Sequence, residues 1–150
     1  MPMAQVLILI GSESDQEFAD RCREQLEALG IEARIEVSSV HRQPERTAEL
    51  ARTAEEKGFD LIIAMAGLSA ALPGVAAAHT NLPVIGVPLP AAIGGIDALL
   101  ATVQMPPGIP VAAVTIGAPG AKNAAVLAAR ILGLKYPEIR EQHEQFRRCL

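Results

Sequence analysis

The chain has 150 residues, half of them hydrophobic and a fifth charged, with a formal net charge of −4. That length suits one domain with a single core, spanning 1–150, and the acidic balance argues against a nucleic-acid partner, which requires a basic face. Two cysteines, Cys22 and Cys149, give neither a disulfide framework nor a metal site.

The first apolar run, Gln5 to Ile10, ends at Gly11 and reads as a buried parallel strand. No basic segment precedes it, so no signal peptide is expected, and a cytoplasmic location follows. Ser14 or Asp15 can N-cap a helix running to about Leu29, with Phe18, Cys22, Leu26 and Leu29 on one face and Gly30 as its stop. Ala33 to Ser38 is the second strand. Pro44 opens a helix expected to reach Lys57, where Gly58 ends it. Asp60 to Met65 is the third strand and residues 70–80 are helical. Leu82 to Val87 and Val111 to Ile116 are the fourth and fifth strands, separated by a helix over 96–104. Ala121 to Leu132 is helical and closes at Gly133, and Tyr136 to Cys149 forms a charged last helix.

From Leu61 to Ala121 the only charged residue is Asp97. A membrane span is nevertheless not expected, because Gly67, Pro73 and Gly74 break the run and Pro83, Pro88 and Pro90 follow it. Five alternations of strand and helix predict an α/β domain, a parallel five-stranded sheet covered by helices on both faces. Residues 1–133 make this core. Residues 134–150 form a tail that packs on its own subunit or on a neighbour. The surplus of apolar residues points to faces buried between subunits.

Ligands of open α/β sheets bind outside the carboxyl ends of the strands, and three polar loops fall there. In the first, Gly11 allows a sharp turn, Ser12 and Ser14 can donate to phosphate oxygens, and Asp15 can accept from ribose hydroxyls; plain helix capping is the competing reading. The spacing is neither a dinucleotide fingerprint nor a P-loop, so a monophosphate fits better. In the second loop, Ser39, His41 and Arg42 combine a hydroxyl, an imidazole able to act as general acid and base, and a guanidinium able to clamp phosphate. The third loop, with Gly67, Leu68, Ser69, Ala71 and Leu72, offers backbone N–H groups to an anion or a flat ring; a tight turn into a buried helix would look the same. His79 reads as packed or helix-terminal, His143 as solvated in the charged tail, and Asp97 as a helix cap.

At these residues the chain resembles the PurE family of purine biosynthesis over nearly its whole length. The resemblance rests on Gly-Ser-x-Ser-Asp at 11–15, Ser-x-His-Arg at 39–42 before Pro44, Ala66-Gly67 and Leu72-Pro73-Gly74. Leu82 to Pro88, Gly95 to Leu100, Val103 to Pro106 and Asn123-Ala-Ala continue it. It implies a flavodoxin-like three-layer α/β/α subunit in a homo-octamer or homotetramer, with no cofactor and no metal, acting on aminoimidazole ribonucleotide. One class of the family moves a carboxylate from N5 to C4 of the ribonucleotide, and the other adds carbon dioxide at C4 directly. The mutase class typically has a histidine where this chain has Ala71. The resemblance there is to the carboxylase class, and direct carboxylation is the expectation, with the mutase as its alternative. In either, His41 would move the C4 proton, while Gly11, Ser12, Ser14, Asp15, Ser39, Arg42 and the third loop would bind substrate. Competing readings are a non-catalytic mononucleotide-binding module, a carboxylase of another aromatic mononucleotide, and a flavin electron carrier. The scarcity of aromatic residues, three Phe, one Tyr and no Trp, disfavours the last.

Overall fold

A computed structural model describes residues 3–150. Five strands form one parallel sheet in the order β2-β1-β3-β4-β5: β1 (Gln5–Ile10), β2 (Glu32–Val37), β3 (Leu61–Ala66), β4 (Val84–Pro88) and β5 (Ala112–Ala113). This is the doubly wound, flavodoxin-like order, whose direction of winding reverses between β1 and β3. The helices are α1 (Gln16–Ala28), α2 (Pro44–Arg52), α3 (Leu72–Ala78), α4 (Ile96–Val103), α5 (Ala118–Leu132) and α6 (Pro137–Arg148).

Alternation along the central strands divides the core into two layers. Val6, Ile8 and Ile10 of β1 face one way with Ile63 and Met65 of β3, against Cys22 and Leu26 of α1 and the alanine-rich face of α5. Leu7 and Leu9 face the other way with Ile62 and Ala64, against Ala51, Ala76 and Ala98 of α2, α3 and α4. Every residue of β3 is buried, which explains why it reads as one continuous apolar run. Small side chains let the helices lie close. Gly86 of β4 is the extreme case: a Cβ there would stand 2.4 Å from Thr102 Cγ2 and 2.8 Å from Val111 Cγ1.

Three elements depart from the sequence reading by three residues or more at one end. β5 pairs only at Ala112 and Ala113 rather than over Val111 to Ile116. Gly86 O accepts from Val114 N, so the even-numbered residues of β4 face β5, and the next one, Pro88, has no N–H to continue the ladder. α2 stops at Arg52, not Lys57. Thr53 turns its hydroxyl back onto Glu49 O at 2.9 Å, and successive turns carry the chain to Gly58. α5 begins at Ala118, three residues early, with Pro119 in its first turn.

α6 packs against α5 of the same chain. Asp60, at the start of β3, fastens this tail: its carboxylate accepts from Tyr136 Oη at 3.0 and 3.1 Å, from Lys135 Nζ at 2.8 Å and from Gln5 N at 3.1 Å. His143 is buried, contrary to the solvated position expected, because it lies on the inner face of α6, where Arg130 Nε donates to its Nε2 at 3.2 Å. No helix among the described residues is long and apolar enough to cross a membrane.

Candidate active site

The carboxyl ends of β1, β2, β3 and β4 converge on one cleft of about 470 Å³ at the winding reversal. Each wall follows from a local sequence choice. After β1, Ser12 caps a short 3-10 turn over Glu13–Asp15, accepting from Ser14 N at 3.3 Å and from Ser14 Oγ at 3.0 Å. The turn delivers Asp15 to the head of α1. Asp15 is partly buried, and that burial raises its carboxyl above the ordinary range.

After β2, the chain makes a tight turn before Pro44 starts α2. Ser39 closes it by accepting Gln43 N on its carbonyl at 2.7 Å and Arg42 N on its hydroxyl at 3.3 Å. Arg46, one turn into α2, ties back to β2 by donating to Val37 O at 2.8 Å and Glu36 Oε2 at 3.0 Å. The turn therefore presents His41 and Arg42 from a braced base. Both are exposed along the cleft wall. Arg42 takes part in no ion pair among the described residues, unlike Arg21, Arg23, Arg34, Arg46, Arg52 and Arg140. An unpaired guanidinium beside a hydroxyl and a helix N-terminus is suited to a phosphate.

After β3, Ala66, Gly67, Leu68, Ala71 and Leu72 form the third wall. The loop lies against the chain just after β4, where a Cβ on Gly67 would be in ordinary van der Waals contact with Leu89 O at 3.4 Å. Ser69 does not line the cleft; it is exposed, with φ of 45°, at the outer bend of the loop. The other proposed residues, Gly11, Ser12, Ser14, Asp15, Ser39, His41, Arg42, Gly67, Leu68, Ala71 and Leu72, share the cleft. Sequence reasoning missed Pro90 and Ala91, which complete it. The rule that led to the first three loops applies equally to the end of β4, where Pro88-Leu89-Pro90 was the available signal.

The cleft contains one imidazole, because His79 is exposed at the end of α3 and His143 lies under α6. Cys22 is sealed in the core with its thiol pushed up to about 12 by burial, which removes it as a nucleophile. Among the described residues no three His, Cys, Asp or Glu side chains group as metal ligands. A depression of about 570 Å³ lies at the opposite end of the sheet; it is lined by Glu55 and by Asp60, whose carboxylate is already engaged within the chain, and it contains no imidazole.

Residues 5–150 match the AIR carboxylase family. The chain belongs to this family. Among its relatives, the N5-carboxyaminoimidazole ribonucleotide mutase of Pyrococcus abyssi is 53% identical over 146 residues, covering 97% of this chain and 83% of the relative. The protein of the same name from Saccharolobus solfataricus is 48% identical, covering 96% and 90%. Among solved structures, Treponema denticola PurE superposes with a TM-score of 0.86 at 33% identity, covering 97% of this chain and 90% of that one. The PurE resemblance read from the polar loops thus holds, and the protein is an enzyme of the purine-biosynthesis family. The names of these relatives favour the mutase, the alternative in the sequence reading, over direct carboxylation.

Proposed function

We propose that this enzyme builds the C4 carboxylate of an aminoimidazole ribonucleotide, with the N5-carboxylated ribonucleotide as carbon donor. The observation that carries the choice of donor is 53% identity, over almost the entire chain, to a protein named as that mutase. The cleft supplies chemistry consistent with it. Ser12, Ser39, Arg42 and the head of α1 hold the phosphate, and Asp15 accepts from the ribose. The N5–carbon bond breaks, the amine nitrogen takes up a proton, and the released carbon dioxide stays against the apolar wall of Gly67, Leu68, Ala71 and Leu72. C4 attacks it, and His41 removes the C4 proton so that the ring regains aromaticity. The proton gained at nitrogen equals the proton lost at C4, so one imidazole can balance the isomerisation.

A second reading, direct addition of free carbon dioxide, is favoured by Ala71, which leaves an aliphatic side chain where the mutase class typically has an imidazole. Purified enzyme given aminoimidazole ribonucleotide with bicarbonate, and separately the N5-carboxylated compound, distinguishes the two. Rapid conversion of the N5-carboxylated substrate alone supports the transfer, and rapid conversion only with bicarbonate overturns it.

We also propose a homo-oligomer, octamer or tetramer, in a cytoplasmic setting. Ile96, Leu100 and Val103 form an exposed stripe at helical spacing on α4, and Leu68 and Ile93 add to the exposed apolar surface. Light scattering that returned a monomer at working concentration would refute the assembly.

A further inference from the structure

The turn bearing Ser39, His41 and Arg42 is fastened by two side chains that never reach the cleft. Ser38 follows the last residue of β2, and Thr47 lies one turn into α2; both are completely buried. Their hydroxyl oxygens are 2.7 Å apart, and Thr47 Oγ1 also lies 3.1 Å from Gln43 O. Each hydroxyl has one proton to give. If Thr47 gave its proton to Ser38, the contact with Gln43 O would lose its hydrogen and the Ser38 proton would have no acceptor among the described residues. The direction is therefore fixed: Ser38 donates to Thr47, and Thr47 donates to the carbonyl of Gln43.

This hydroxyl chain runs from the end of β2, across the mouth of the turn, to the residue just before Pro44. The backbone continues the fastening, with Ser38 N donating to Ile10 O at 2.8 Å and Gln43 N to Ser39 O at 2.7 Å. Between these anchors lie Val40, His41 and Arg42, held within the turn by the contact of Arg42 N with Ser39 Oγ. An apolar pair could fill the same space, but dispersion contacts tolerate sliding and rotation, whereas two hydrogen bonds in series do not.

We infer that Ser38 and Thr47 are positioning residues, which hold the His41 turn in register with the cleft without touching substrate. The inference rests on the proposed role of His41 in moving the C4 proton, because proton transfer is the step most sensitive to a small displacement.

The test compares Thr47→Val, Thr47→Ser and the double variant Ser38→Ala/Thr47→Val with the parent. Residue-resolved amide hydrogen exchange is measured without substrate, and turnover is measured on the ribonucleotide. In Thr47→Val, exchange at Arg42 and Gln43 should quicken about tenfold while the amides of β1 and β3 are unchanged. Its kcat should fall about tenfold, with KM altered less than about threefold. Thr47→Ser keeps the hydroxyl and should restore both. The double variant leaves no orphaned hydroxyl, so its melting temperature should recover while its exchange and kcat do not; it serves in place of Thr47→Val should that variant fail to fold. Parent-level exchange and turnover in Thr47→Val, or full recovery of both in the double variant, would overturn the inference. Exchange is read without substrate, so an error in the reaction assignment would show as an inactive parent with the exchange pattern intact.

Discussion

Gly86→Ala tests how tightly the α3–α4 layer is pressed onto β4. The new methyl would approach Thr102 Cγ2 at 2.4 Å, Val111 Cγ1 at 2.8 Å and Pro73 Cβ at 3.1 Å. Thr102 cannot rotate away cheaply, because its hydroxyl is bound to Ala98 O at 2.7 Å and the residue is fully buried. Restricting the unfolded chain favours alanine by about 0.4–1 kcal/mol, while overpacking of this kind costs about 1–3 kcal/mol. Two contacts well inside van der Waals range place the cost at the upper end, for a net loss of about 2 kcal/mol. With 150 residues, the unfolding entropy is about 0.3 kcal/mol/K, so the melting temperature should fall by about 6 °C. Thermal and denaturant unfolding at fixed protein concentration provide the assay. Thr102→Ser removes the nearest methyl and keeps the hydroxyl. In the parent it should cost about 1 kcal/mol, and in the Gly86→Ala background it should instead be neutral or restore stability. A Gly86→Ala variant as stable as the parent, or a Thr102→Ser effect identical in both backgrounds, would refute the packing argument.

Asp60→Ala should destabilise by about 3 kcal/mol in denaturant titration, because it strips a charged acceptor from Gln5 N and Tyr136 Oη. Lys135→Ala should cost much less, since that ammonium is mostly exposed. His143 gives the tail a pH dependence. Burial, then Arg130, then Arg147 hold its pKa below the ordinary value, with Glu144 opposing. A depressed folded pKa means that the folded state binds fewer protons than the unfolded one. The associated stability is therefore complete above about pH 6.5 and is lost as pH falls through the folded pKa. Thermal unfolding of His143→Gln should accordingly lose less stability between pH 7.5 and 5.5 than the parent does; an equal loss in both would show that His143 does not titrate with folding.

Much of the fold could be read from local pattern. The unbroken apolar runs of β1 and β3 can only be strands covered on both sides, and Gly11, Gly30 and Pro44 mark real ends of elements. What escaped depends on contacts between distant segments. The short β5 follows from a missing donor on a different strand, at Pro88. The burial of His143 follows from the packing of α6 on α5, where Arg130, thirteen residues earlier, donates to it. The polar loops at strand ends revealed most of the cleft because the doubly wound order brings those ends together. Ser69 offers a hydroxyl in the third loop, but the folded loop leaves it exposed and off the cleft lining, a placement no local pattern marks. The Ser38–Thr47 pair gave no sign, since two hydroxyls nine residues apart become partners only when α2 folds back on β2. Ala71 alone carries the expectation of direct carboxylation, whereas the relative that is 53% identical along nearly the whole chain is named as the mutase.

The claim on which the account turns is that the exposed imidazole in the cleft, His41, moves the C4 proton. His41→Asn, assayed with the carboxylated ribonucleotide, tests it most directly. Removing the only imidazole that lines the cleft among the described residues should lower turnover by at least about a hundredfold. Ligand affinity should stay within about threefold of the parent, because the phosphate and ribose contacts proposed for Ser12, Asp15, Ser39 and Arg42 do not involve the imidazole. Turnover near the parent level, with binding intact, would contradict the assignment.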